Sequence, residues 1–157
     1  MLAAYDSWAN RMVLSAMQAL TNEQLAEGGI GSRGSIAATM RHVLLAGTVW
    51  QSRWTGENPP AYDLLSLDGL RAAFEDSGRR LTAFTERLQS DDWRRIIAYR
   101  DSQGVDRQES LGILLTHVVN HGTLHRGEAG LLLARYDASP GDLDFVFWAR
   151  DHWRPTD

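Results

Sequence analysis

The stretch HVVNHGTLHRGE, residues 117–128, decides how this chain is read. Its histidines, His117, His121 and His125, recur four apart. In a helix, positions four apart are offset by about 40° and stack along one face. On a wheel centred on His121, Leu114 and Leu132 fall within about 20° and Val118 within about 60°. Leu111, Ile113, Leu124 and Leu131 complete the arc. The spacing predicts a helix over about 110–135 with its imidazoles in the middle of the core-facing stripe, where a bundle helix carries leucine.

Such a placement needs an explanation, because an unsatisfied buried polar group costs about 1–3 kcal/mol. A divalent metal ion supplies one. It takes one nitrogen of each neutral ring and leaves the other to donate to a neighbouring acceptor. Two histidines at i and i+4 form a helical metal pair. His117 and His125 stand about 12 Å apart along the axis, so the helix contributes one pair and a third ligand comes from elsewhere. His42, on a largely apolar segment, is the candidate, whereas His152 in ARDHWRP reads as a surface residue. Helical geometry alone leaves the pairs His117/His121 and His121/His125 equally open. Glu128 falls about 20° from His121 on the same wheel. It reads as a partner to a ligand, a further ligand or a general base, or else as half of a salt bridge with Arg126.

Three more segments show the helical three-and-four spacing. One spans about 2–20, one about 36–55 and one about 66–89. The last carries a seam of Leu67, Leu70, Phe74, Ser77, Leu81, Phe84 and Leu88. Thr21 with Gln24 resembles a capping box for one short extra turn. GGIGSRGS, residues 28–35, lacks the GK[ST] ending of a phosphate loop. It reads as a linker whose Ser35 caps the next helix. Trp93–Tyr99 and Val105–Glu109 flank DSQG, which is turn chemistry, and predict a small β-hairpin. Asp142–Trp153 predicts a short helix packed on the bundle. The expected fold is all-α: a four-helix bundle, in one domain over residues 1–157, with a small hairpin before the last main helix.

Composition removes several function classes. The 157 residues include no Cys, which excludes a disulfide framework, a thiolate zinc site and a Cys nucleophile. All 16 basic residues are Arg, so Schiff-base and P-loop lysine chemistry are excluded. A net charge of -4 argues against nucleic acid or an anionic membrane as the main partner. No apolar run approaches the roughly 20 residues of a membrane span. The N-terminal MLAAYDSWANRM carries Asp6 and no basic start, unlike a signal peptide. The expected location is cytoplasmic.

The run HVVNHGTLHRGEAGLLL resembles the signature of the DinB-like family, also called the DinB/YfiT-like metalloenzymes. YDSWANRMVL, with Trp8 and Asn10, resembles that family's first helix, and GSIAATMRHVLLAGTVWQSRWTG, with His42, Trp50 and Trp54, its second. DLDFVFWARD resembles its close. The resemblance spans essentially the whole chain. It implies an up-down-down-up bundle holding a divalent ion, often zinc or nickel, through one histidine of the second helix and two of the last: here His42, His121 and His125. His117 then becomes a pocket residue, with Asn10, Trp50 and Arg126 also placed toward a bound cofactor. Glu128 stands where the family usually has Gln.

Family members of known chemistry depend on the low-molecular-weight thiols bacillithiol or mycothiol. The resemblance therefore implies a metal-dependent thiol S-transferase in stress or detoxification, taking a small-molecule thiol and an electrophile. Arg41, Arg53 or Arg126 would meet an anionic thiol, and Glu128 is the candidate catalytic acid or base. A metal-dependent hydrolase and a non-catalytic metal-binding stress protein stay open beside it. Family precedent, with Trp50, Trp54, Trp148 and Trp153 as large aromatics for one small bundle to bury, implies a homodimer.

Overall fold

The computed structural model describes residues 1–29 and 31–152. Its order is α1 (Leu2–Met17), α2 (Asn22–Ala26), α3 (Ile36–Thr55), α4 (Leu67–Glu86), a 3-10 turn (Asp92–Arg94), β1 (Ile96–Arg100), β2 (Asp106–Ser110), α5 (Leu111–Ala134) and α6 (Phe145–His152). The starts follow capping chemistry. Ser35, Ser66 and Ser110 each accept a hydrogen bond from a backbone N–H in the first turn of α3, α4 and α5. Thr21 and Gln24 form the expected capping box at α2.

The four long helices form a bundle in which α1 and α3 each pack against both α4 and α5. Side-chain neighbours fix the directions. Asp6 and Asn10 both meet Arg126, while Val13 and Met17 share a cluster with Leu132 and Leu133, so α1 and α5 run the same way. His42 meets His121 and Trp50 meets His117, so α3 runs against α5. Gln51 bonds Ser77 and Trp54 stacks on Phe84, so α3 and α4 run together. The order is up-down-down-up. Joining the parallel α3 and α4 requires a crossover the length of the bundle. The 20-residue α3 is about 30 Å long, and residues 56–66 reach about 36 Å when extended. This strap is held by the Leu64 carbonyl, which accepts from Arg41 Nε at 2.9 Å.

The hairpin pairs antiparallel from Ile96↔Ser110 to Arg100↔Asp106. Trp93, expected in its first strand, lies in the 3-10 turn instead. α1 and α4 end at Met17 and Glu86, short of the extents read from the sequence. Trp153, at the end of the expected last helix, lies outside the described residues. Among those residues no helix is long and apolar enough to cross a membrane.

The burial of α5 corrects the wheel. Its buried face runs through Leu111, Leu115, Val118, Ala129 and Leu133. Ile113, Leu124 and Leu131, read as core, are 57%, 64% and 70% exposed. The helix is apolar nearly all round, so its pattern does not say which apolar side is the core. The histidines lie along the margin of the buried face: His125 is buried, His121 half-buried and His117 exposed.

Between α1 and α5 lies a buried ion pair. Arg126, 2% exposed, donates through Nη1 to Asp6 Oδ1 at 2.6 Å and Asn10 Oδ1 at 2.9 Å. Burial pushes the Asp6 carboxyl up, and Arg126 and Asn10 pull it back toward the ionised form. Gly122 makes room: a Cβ there would stand 2.7 Å from Arg126 Nη1 and 2.9 Å from Asp6 Oδ1. Removing one partner of a buried pair strands the other charge, at about 3–5 kcal/mol. Asp6→Ala is therefore expected to lower the unfolding free energy in urea by that amount, with a smaller loss for Gly122→Ala. A loss under about 1 kcal/mol for Asp6→Ala would contradict this account.

Candidate metal centre

The antiparallel approach of α3 and α5 brings His42, near the start of α3, against the middle of α5. The Nε2 atoms of His42 and His121 are 3.0 Å apart. His125 closes the group, with ring centroids 4.7 Å from His42 and 4.5 Å from His121. One nitrogen from each ring lies within 4.8 Å of the others, so the set is able to hold one metal ion. Two nitrogens on a tetrahedral ion, each about 2.0–2.1 Å away, would be about 3.3 Å apart. The His42–His121 separation thus fits a divalent ion with little adjustment, and His125 stands within reach to complete the set.

The protonation states suit that use. Burial pushes the His121 imidazole down to about 4, helped by the neighbouring charges of His125, His42, His117 and Arg33. Burial, then Arg33, lowers His42 as well. Both rings are therefore neutral near pH 7, the form that binds metal. His125 is oriented by Glu128, whose Oε2 lies 2.6 Å from His125 Nδ1. That carboxyl is held below its usual range chiefly by the His125 hydrogen bond, then by Ser32. With Nδ1–H donated to Glu128, Nε2 is the nitrogen left for an ion. Arg126 is not Glu128's partner. Its guanidinium is committed to Asp6, and Glu128 also accepts from Ser32 Oγ at 2.9 Å.

The other residues marked in the sequence divide in two. Trp50 and His117 stand beside the cluster. Their rings are 5.5 Å apart, and His117 is 5.6 Å from His121. Tyr99 of the hairpin meets Trp50 edge-on at 4.9 Å, and the Arg53 guanidinium lies over both rings at 4.4 and 4.8 Å. Asn10 and Arg126, expected toward the cofactor, are both buried in the ion pair between α1 and α5 and spend their hydrogen bonds there. Sequence reading missed Tyr99, Ser32 and Arg33. Alternation along β1, with Ile97 buried and Tyr99 half-buried, hints at the first. Nothing local marks Ser32 or Arg33 inside a glycine-rich stretch. Two sizeable cavities, ≈ 560 Å³ between α1 and α4 and ≈ 480 Å³ between α1, α5 and the tail, are lined by no histidine. Donor chemistry, not volume, singles out the α3–α5 site.

The model of the DinB family matches residues 1–153. The chain belongs to the DinB family. Its bundle is similar to a DinB-like protein from Bacillus cereus ATCC 10987, with a TM-score of 0.65 at 16% identity over 85% of this chain and 89% of that one. It is also similar to the DinB-like protein YjoA from Bacillus subtilis, with a TM-score of 0.65 at 11% identity over 92% and 96%. None of the curated proteins searched matches it. At such identities the solved structures speak for the fold alone.

In this DinB-family chain, Ala at His42, His121 or His125 is expected to weaken zinc binding by at least a hundredfold in a competitive chelator titration, and His117→Ala by less than tenfold. Because His121 is neutral down to about pH 4, proton competition at this ligand begins well below the 6.5 of an ordinary imidazole. Equal loss for His117→Ala with none for His125→Ala would assign the other helical pair.

Proposed function

We propose that this protein is a divalent-metal-dependent thiol S-transferase in stress or detoxification chemistry, with zinc or nickel held by His42, His121 and His125. The supporting observation is the cluster itself: three histidines with converging nitrogens, one anchored from behind by Glu128, and no acidic side chain in the donor group. In such a site a divalent ion supplies stabilisation of a thiolate, so that a nucleophile exists near neutral pH. The substrates are a low-molecular-weight thiol of the bacillithiol or mycothiol type and a small electrophile. Glu128 holds the His125 tautomer, and no protein base is essential to the transfer. Trp50, His117 and Tyr99 form the wall on the hairpin side.

The competing reading is a hydrolase with Glu128 as general base. Its carboxylate is beside the cluster, but its Oε2 is engaged by His125 and Ser32. Glu128→Gln keeps an acceptor for His125 Nδ1–H and removes the charge. For a transferase it is expected to retain metal and to keep thiol conjugation within about tenfold. Loss of a measured hydrolysis by about 10²–10⁴-fold with metal still bound would favour the hydrolase. Bound metal with no turnover across panels of thiols, electrophiles and esters would leave a non-catalytic metal-binding protein.

The homodimer rests on different residues from those first considered. A single copy buries Trp54 and Trp148, and Trp153 lies outside the described residues. The exposed positions of α5 supply the surface instead. Ile113, His117, Asn120, Leu124, Gly127 and Leu131 alternate four and three apart, the spacing of a two-helix seam, and all are exposed. Sedimentation at micromolar concentration is expected to give twice the 17.6 kDa chain mass, and Leu124→Glu to give the monomer. A native mass of 17.6 kDa would exclude the dimer.

A further inference from the structure

Arg126 meets Asp6 and Asn10 through one terminal nitrogen. Nη1 donates to both, and Nη2 donates to Thr123 Oγ1 at 3.1 Å. Nε is buried and has no acceptor among the described residues. A guanidinium carries five N–H donors in a planar fork. Nη1 spends both of its own and Nη2 spends one, which leaves Nε–H and a second Nη2–H without an acceptor. The Nε/Nη2 edge of a guanidinium is one that grips a carboxylate through two parallel bonds. Asp6 pairs at Nη1 and leaves that edge to another acceptor. A buried donor with no acceptor is costly, so its retention calls for an explanation.

A cavity supplies one. Arg126 and Thr123 both line the ≈ 480 Å³ space between α1, α5 and the segment leading into α6. That volume suits a small organic molecule. Arg126 is the one basic residue of its wall, and it is 2% exposed. Leu2, Tyr5, Val119 and Phe145 make much of the wall apolar. The Tyr5 hydroxyl is taken up by the Leu143 carbonyl at 2.8 Å, so Tyr5 offers the cavity its ring. Asp144, the one acid of the wall, is exposed just before α6. A second cavity of ≈ 380 Å³ adjoins the first, since Leu2, Thr116 and Val119 line both. Its wall continues over Leu115 to Trp93, which is 42% exposed. Arg126 and Leu115 stand about 16 Å apart along α5.

We propose that this cavity binds a monocarboxylate with an unbranched apolar chain. The carboxylate sits on the Nε/Nη2 edge of Arg126, and the chain runs past Leu2 and Val119 toward Trp93. Asp6 already balances part of the Arg126 charge, which favours a single negative charge over a phosphate dianion. The apolar wall favours a chain over a polar metabolite. The site shares no residue with the histidine cluster and is independent of the transferase reading. It opens beside the exposed seam of α5, with which it shares Asn120 and Gly127.

The test is calorimetric titration of the protein with octanoate and, separately, with octan-1-ol. Octanoate is expected to bind more tightly by roughly tenfold or more, the effect of hydrogen bonds to a charged group. The preference is expected to survive treatment with a chelator, because the histidines take no part. Arg126→Lys keeps a cation for Asp6 and removes the parallel donors. It is expected to abolish the preference and leave the affinity for octan-1-ol unchanged. Val119→Trp fills the space shared by the two cavities and leaves the ion pair intact. It is expected to weaken octanoate by roughly tenfold with native helical content, and it serves where Arg126→Lys fails to fold. Octanoate bound no more tightly than the alcohol, or not bound at all, would overturn the inference. A preference lost on chelation would place the anion at the histidines and overturn it as well.

Discussion

The rotation of α5 about its own axis is the constraint on which the site depends. Arg126 follows His125 in the chain, and adjacent helical residues point about 100° apart. Arg126 is locked inside, between α1 and α5, by Asp6 and Asn10. A rotation that brought His121 or His125 to the bundle centre would pull the guanidinium from its carboxylate, and an unpaired buried charge costs several kcal/mol. The ion pair thus holds the histidine margin toward α3. The antiparallel run of α3 then supplies His42 at the matching level. Gly122, one turn before Arg126, leaves space for the pair and so serves the site indirectly.

The electrostatics follow from this placement. His42 and His121, half-buried at the margin of the core, are dry enough to stay neutral at pH 7. Burial is the largest cause for both His42 and His121, and the mutual repulsion of the rings reinforces it. Glu128 sits behind His125 and offsets part of the local positive charge while fixing a tautomer. Toward the C-terminal end of α3, the hairpin brings Tyr99 against Trp50 and Arg53. The small sheet also joins the bundle core, since its Ile97 is buried in one cluster with Trp54, Leu81, Leu111 and Leu114.

Much of this was legible in the sequence, for a simple reason: helices are local. The three-and-four spacing of apolar residues, the capping serines and the turn at Asp101–Gly104 reflect contacts within a few residues, and these contacts set the elements. The four-residue spacing of His117, His121 and His125 likewise put their side chains in register without any knowledge of the rest. His42, on another element, stood out on its largely apolar segment, and the family signature pointed to it as well.

What a linear pattern could not carry was relative placement. α5 is apolar around most of its circumference, so periodicity could not tell the core side from the exposed stripe of Ile113, Leu124 and Leu131. That choice was made by a partner 120 residues away, Asp6, through its pairing with Arg126. The same long-range pairing sets Arg126 and Asn10 against each other between α1 and α5. Ser32 and Arg33 read as linker because their neighbours in sequence are glycines. Only the fold sets Ser32 against Glu128, 96 positions on. The sequence by itself determined which segments are helices and which residue types are able to bind metal. The tertiary structure decided which of those residues meet, because burial and charge pairing are properties of surfaces brought together from distant parts of the chain.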